Sequence, residues 1–214
     1  MLVIAIDGPA GAGKSTVGRA LAARLGVHYL DTGAMYRAMT FAVQQRGIAE
    51  GDLAEVAAIA PEVVIELDPD TGTVLVDGVD ATSAIRSREV TAAVSQVSAN
   101  QAVRTELVDQ QRAWVAARGG AVVEGRDIGS VVFPDAALKL FVTASPRVRA
   151  ERRVAEIGGD VGEVEASIIE RDRKDSTREA SPLTELDDAV TVDTTGMTID
   201  EVVGHIVALL KERV

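Results

Sequence analysis

The residues with the clearest chemical content come early. Gly8-Pro9-Ala10-Gly11-Ala12-Gly13-Lys14-Ser15, followed by Thr16, has the spacing G-x-x-x-x-G-K-[ST]. Glycines at these intervals let the backbone curl so that successive N–H groups converge on an anion, and the start of the following helix adds partial positive charge. Lys14 is then expected to neutralise the oxygens of a terminal polyphosphate, and the Ser15 hydroxyl is placed to ligate Mg²⁺. A chance glycine-rich turn needs no particular neighbours. This segment sits where the chemistry requires, after a buried-strand pattern and before a helical one.

Arginine supplies the second signal. Eighteen of the 22 basic residues are arginine, the side chain that grips phosphate oxygens with two parallel hydrogen bonds. Composition alone accounts equally well for any single one, but two lie at informative places. Arg126 stands in Glu124-Gly125-Arg126-Asp127, at the end of an apolar run, and Arg37 follows Leu30-Asp31-Thr32-Gly33-Ala34-Met35-Tyr36. Open α/β sheets bind ligands at such carboxyl edges. Glu124 is either an outer partner of the metal or a structural acid. Asp7 and Asp31 read as caps or metal partners, with a cap favoured for Asp31. Tyr36 and Met35 fit a pocket wall or the core equally. Arg149, Arg152 and Arg153 read as a solvated helix face, with nucleotide contact the alternative for one of them, Trp114 as core, and His28 and His205 as ordinary packing residues.

These groups need a scaffold, and the apolar pattern outlines one. Leu2–Ile6, Val27–Leu30, Ala121–Val123, Leu138–Val142 and Ala189–Val192 are short unbroken runs, as expected of strands buried on both faces of a parallel sheet. Helical patterns at Lys14–Leu25, Ala34–Gln45, Gln101–Arg118 and Pro146–Ile157 lie between them, each closed by a glycine. The alternation implies an α/β fold with about five parallel strands flanked by helices. Val63–Leu67 and Thr73–Gly78, separated by Asp68-Pro69-Asp70-Thr71-Gly72, read as an antiparallel hairpin in an insert outside the main sheet. Residues 158–178, dense in both charges, read as an irregular, mobile flap.

Composition then excludes whole classes. The chain has 214 residues, 47% of them hydrophobic, enough for one generous domain. A net charge of −11 repels polyanionic backbones, and 3% aromatic residues leave little for base-stacking platforms, so stable nucleic-acid binding is not expected. Cysteine is absent, which removes disulfides and thiolate chemistry and is compatible with a reducing cytoplasm. No apolar run is long enough for a membrane span or a signal core. Asn100 is followed by Gln101, so the Asn-Lys-x-Asp guanine reader of the GTPases is missing, as is the H-R-D loop of polypeptide kinases.

Taken together, the loop Gly8 to Thr16, Leu30 to Arg37, Ser95-Gln96-Val97, Arg104, Glu124-Gly125-Arg126-Asp127, and Glu170-Arg171-Asp172 through Asp175 and Arg178 resemble the bacterial cytidylate kinases across nearly the whole chain. The resemblance implies a P-loop kinase core (1–31, 104–157 and 179–214), a monophosphate-binding insert (32–103) and a lid (158–178). It implies transfer from ATP, with Mg²⁺, to CMP and also dCMP. Lys14, Arg126 and Arg171 are then the catalytic cations. Arg37, Arg126 and Arg171 clamp the acceptor phosphate, Ser95, Arg104 and Asp127 read cytosine, and Asp175 with Arg178 holds the sugar. Thr32 and Tyr36 lie near the nucleotide. The acceptor phosphate is mostly dianionic at neutral pH, so no general base is needed. A cytoplasmic monomer is expected. The rival readings are an adenylate- or shikimate-type kinase and a non-catalytic ATP-binding module.

Overall fold

The computed structural model describes residues 1–213 and divides into two compact units, 1–30 with 118–213 and 31–117. The first is built on a five-stranded parallel sheet in the order β2-β6-β1-β7-β8, formed by β1 (Leu2–Asp7), β2 (His28–Asp31), β6 (Gly120–Glu124), β7 (Leu138–Thr143) and β8 (Val190–Asp193). Register pairs Ile4 with Val122 on one side and with Leu138 on the other. Central position explains composition: β6 is buried at every residue and β1 at all but its first, whereas the edge strands β2 and β8 are only half covered. The expectation of strands buried on both faces therefore holds for β6 and β1; β7, though internal, alternates buried and half-buried residues, and the edge strands β2 and β8 are less covered still.

Helix α1 (Lys14–Leu25) lays Val17 and Leu21 on one sheet face and packs beside α8 (Ile199–Arg213), which adds Val202 and Ile206 to the same core. Ile4 and Ile6 are fully buried there, so Ile4→Ala should cost about 3 kcal/mol. Pro146 occupies the first turn of α6 (Pro146–Ile157), where its missing N–H costs nothing, and the Ser145 hydroxyl caps the N–H of Val148.

The expected irregular flap is instead α7 (Val161–Thr177), a regular helix capped by Asp160. Its charges are mostly good helix formers at helical spacing: Glu170 pairs with Arg173 at 2.8 Å and with Lys174 at 3.8 Å. A thin apolar stripe through Ile168 was too weak to register as a periodic pattern.

The second unit contains α2 (Thr32–Gln45), α3 (Leu53–Ile59), α4 (Arg88–Val97) and α5 (Gln101–Ala116), with a small antiparallel sheet of β3 (Ile65–Leu67), β4 (Val74–Val76) and β5 (Val79–Asp80). The hairpin read from sequence is present and lies outside the main sheet. Helices α3 and α4 and strand β5 escaped the sequence reading because each is short. Asp52, Ser87 and Asn100 nevertheless accept backbone N–H bonds at the starts of α3, α4 and α5. Trp114 is half-buried rather than core, and His28 and His205 are both exposed.

Candidate functional site

In the first unit the phosphate loop joins β1 to α1. Its entry demands glycine: at Gly8, with φ +146, a Cβ would lie 2.0 Å from the carbonyl oxygen of Val142. Lys14 folds back over the loop, and its Nζ donates to the carbonyls of Gly8 at 2.9 Å and Pro9 at 2.8 Å. Burial pushes the Lys14 ammonium down to about 7, Arg126 and Arg171 push the same way, and Glu124 and Asp7 oppose them. Three cations of the first unit thus share one field. A polyanion placed among them relieves their mutual repulsion, which is the electrostatic requirement of phosphoryl transfer.

The acids in this unit have separate duties. The Ser15 hydroxyl donates to Glu124 Oε1 at 2.7 Å, bringing together two hard oxygen donors. These fit Mg²⁺, which commonly takes one or two protein oxygens and completes its shell from phosphate and water. Asp7 proves to be a cap. Its two carboxylate oxygens accept from the N–H groups of Ile128 and Gly129, both at 2.8 Å, at the start of a wide helical turn over Ile128–Val132. Burial still drives its carboxyl up to about 6, because the two N–H bonds only partly offset desolvation and Asp127 adds repulsion. In the second unit Asp31 caps α2 through the N–H of Ala34, as expected.

Two crossed contacts tie the segment after β6 to the end of α7. Arg126 Nε donates to Asp175 Oδ2 at 2.9 Å, and Arg178 Nη2 lies 3.7 Å from Asp127 Oδ1. Arg178 Nε donates to the Ser181 carbonyl at 2.7 Å; Ser181 itself adopts a positive φ of 49°, a strained setting for serine.

One arginine lies far from the surface expected of it. Arg149, expected on a solvated face, is 4% exposed. It donates through Nε to Ala144 O at 2.9 Å, and through Nη1 to Ala10 O at 2.9 Å and Asp172 Oδ2 at 2.5 Å. Arg152 is half-buried on Thr194, whose hydroxyl also reaches the Ala12 carbonyl; Arg153 alone fits the surface expectation, pairing with Glu156. The available signal was position: α6 starts directly after β7, a neighbour of β1, so its first turn lies beside the loop.

The second unit holds the remaining candidates. Arg37 on α2 donates through Nη1 to Thr91 Oγ1 at 2.8 Å and to Ile85 O at 3.3 Å. Arg104 on α5, 2% exposed, donates to Ser98 O at 3.1 Å, and its guanidinium lies 5.3 Å from the Tyr36 ring centroid, within cation–π range. Thr32 is buried, and Ser95 is half-buried on α4.

The cytidylate kinase family profile matches residues 4–212. The chain belongs to the cytidylate kinase family. Among curated cytidylate kinases, that of Streptomyces avermitilis is 48% identical over 99% of this chain and 94% of its own length, and that of Streptomyces griseus 49% over 98% and 93%. A bifunctional pantoate ligase/cytidylate kinase of Prochlorococcus marinus is 50% identical over 99% of this chain, which spans only 44% of that longer protein. Solved structures extend the likeness at the level of fold. A Sinorhizobium meliloti gluconokinase superposes with TM-score 0.53 at 17% identity, covering 99% of this chain and 92% of the other. An Acinetobacter baumannii shikimate kinase in complex with shikimate gives 0.52 at 14%, covering 99% and 94%.

Proposed function

We propose that the protein transfers the γ-phosphoryl group of ATP to CMP, and also to dCMP, releasing ADP and the nucleoside diphosphate. Membership of the cytidylate kinase family supports the donor and the acceptor. The observation that carries the mechanism is the buried Lys14 Nζ folded over the phosphate loop, 2.9 Å from the Gly8 carbonyl and 2.8 Å from that of Pro9, where a phosphate would meet it.

In this reading Gly8, Pro9, Ala10, Gly11, Ala12, Gly13, Lys14, Ser15 and Thr16 hold the triphosphate, with Lys14 on its β- and γ-oxygens. Ser15, with Glu124, would hold Mg²⁺, which supplies charge neutralisation across those oxygens. Arg126 and Arg171 grip the acceptor phosphate, align it for attack and offset charge on the transferring group. Asp127 accepts the cytosine N4–H, while uracil would present an acceptor to the same carboxylate and leave a buried polar group unpaired. Asp175 and Arg178 hold the sugar. These acceptor-side roles, like those of Thr32, Tyr36, Arg37, Ser95 and Arg104, rest on the family resemblance. No side chain has to remove a proton, since the attacking phosphate oxygen is already ionised at neutral pH.

Among the described residues no helix is long and apolar enough to cross a membrane. A cytoplasmic, monomeric enzyme with no stable nucleic-acid partner completes the proposal. The test is ADP release, with ATP and Mg²⁺, across CMP, dCMP, UMP, AMP, GMP and shikimate. CMP should head the series; turnover of another acceptor with none of CMP overturns the reading.

A further inference from the structure

One peptide unit of the phosphate loop is held from both sides. The N–H of Ala10 donates to Asp172 Oδ1 at 3.2 Å, and its carbonyl accepts from Arg149 Nη1 at 2.9 Å. The ring closes between the two side chains, Arg149 Nη1 to Asp172 Oδ2 at 2.5 Å. Arg149 is fixed in turn by the Ala144 carbonyl at 2.9 Å. Backbone packing matches this closeness: a Cβ on Gly11 would lie 3.3 Å from Arg149 Cβ. Asp172 belongs to α7, immediately after Arg171, so the ring joins three elements: the loop, α6 and the helix that carries Arg171 and Asp175.

From this geometry we infer that Arg149 and Asp172 are a positioning pair that sets the height and rotation of α7 over the phosphate loop, and thereby the place of Arg171 and Asp175. Neither need touch a reacting atom. A planar guanidinium can serve three oxygens in one plane, which an ammonium cannot reproduce. The pair is well buried, with side-chain exposures of 5% and 18%, so removing one partner strands the other's charge, whereas removing both does not. The influence of Arg171 on Lys14 fits a helix held close to the loop. The inference rests on the kinase reading for its consequence, misaligned transfer, but the ring itself is independent of the acceptor.

The test compares wild type, Asp172→Asn, Arg149→Met, Arg149→Lys and the Asp172→Asn/Arg149→Met double variant. Measured for each are kcat, KM for CMP, ADP released without CDP, ATP affinity by calorimetry, and melting temperature. Each single variant should lose about tenfold to a hundredfold in kcat. KM for CMP should stay within about threefold, uncoupled ADP release should rise, and ATP should bind a few-fold more weakly. The double variant should be no worse than the poorer single, and Arg149→Lys should recover little. Asp172→Asn keeps size and shape, so it decides alone should Arg149→Met not fold. Folded single variants with wild-type kcat and uncoupling overturn the inference, as do losses that multiply in the double variant. Tighter ATP binding by Asp172→Asn also overturns it, because Asp172 would then be a competitor for the loop rather than its tether. A wild type inert towards every acceptor would refute the kinase reading separately, and the pattern of singles against double in ATP affinity would still decide the pair.

Discussion

The candidate-site arginines of the two units differ in their contacts, while elsewhere in the second unit Arg46 pairs with both Glu62 and Asp77. In the first, Arg126, Arg149 and Arg178 lie against the carboxylates of Asp175, Asp172 and Asp127. In the second, Arg37 donates to a hydroxyl and a carbonyl, and Arg104 to a carbonyl beside an aromatic ring. Carboxylate anchors compensate charge where cations crowd a buried lysine, so the first unit's electrostatics respond to pH and to an incoming anion.

The sharpest way to break this contrast is Lys14→Ala. It should lower kcat by about a thousandfold or more without a matching loss in melting temperature; near-normal turnover would remove the electrostatic role of the first unit. Next in size is Asp127→Asn, which should cut the preference for CMP over UMP by about tenfold to a hundredfold while leaving ATP affinity close to wild type. Unchanged selectivity in a UMP and CMP competition assay takes Asp127 out of base reading.

A pH experiment sharpens the comparison. Lys14, held down to about 7 in the free protein, must become protonated more readily once a polyanion sits beside it. ATP binding at pH 8 should therefore take up roughly one proton, and affinity should fall by up to tenfold per pH unit above 7. Calorimetry in buffers of different ionisation enthalpy reads the uptake directly, and proton release would contradict the assignment. The smallest effect belongs to the second unit: Thr91→Val deletes one neutral acceptor of Arg37 and should raise KM for CMP about threefold, with no change in the pH dependence of ATP binding. An altered pH profile there would show that the two units' electrostatics are not separable.

Much of the framework could be read in advance from local chemistry. The loop announces itself because its glycines, lysine and serine are contiguous. The central strands do so because burial on both faces requires unbroken apolar runs, and α1 and α6 end at Gly26 and Gly158, as their glycines suggest. Helix α7 was obscured because its apolar residues are few and its surface charges mimic a solvated loop. Arg149 was obscured because an arginine's burial depends on acceptors far along the chain: Ala10 is 139 residues away, and its Asp172 partner 23.

The amino-acid sequence by itself determined the α/β class, the phosphate loop and the family, since each is written in adjacent residues or in a period set by backbone geometry. Tertiary structure alone decided what each carboxylate faces: Asp175 on Arg126, Asp7 as a cap on the Ile128 turn, and Asp172 on the loop. Ionic partners are chosen by distance and desolvation, and neither exists until strands remote in sequence lie side by side.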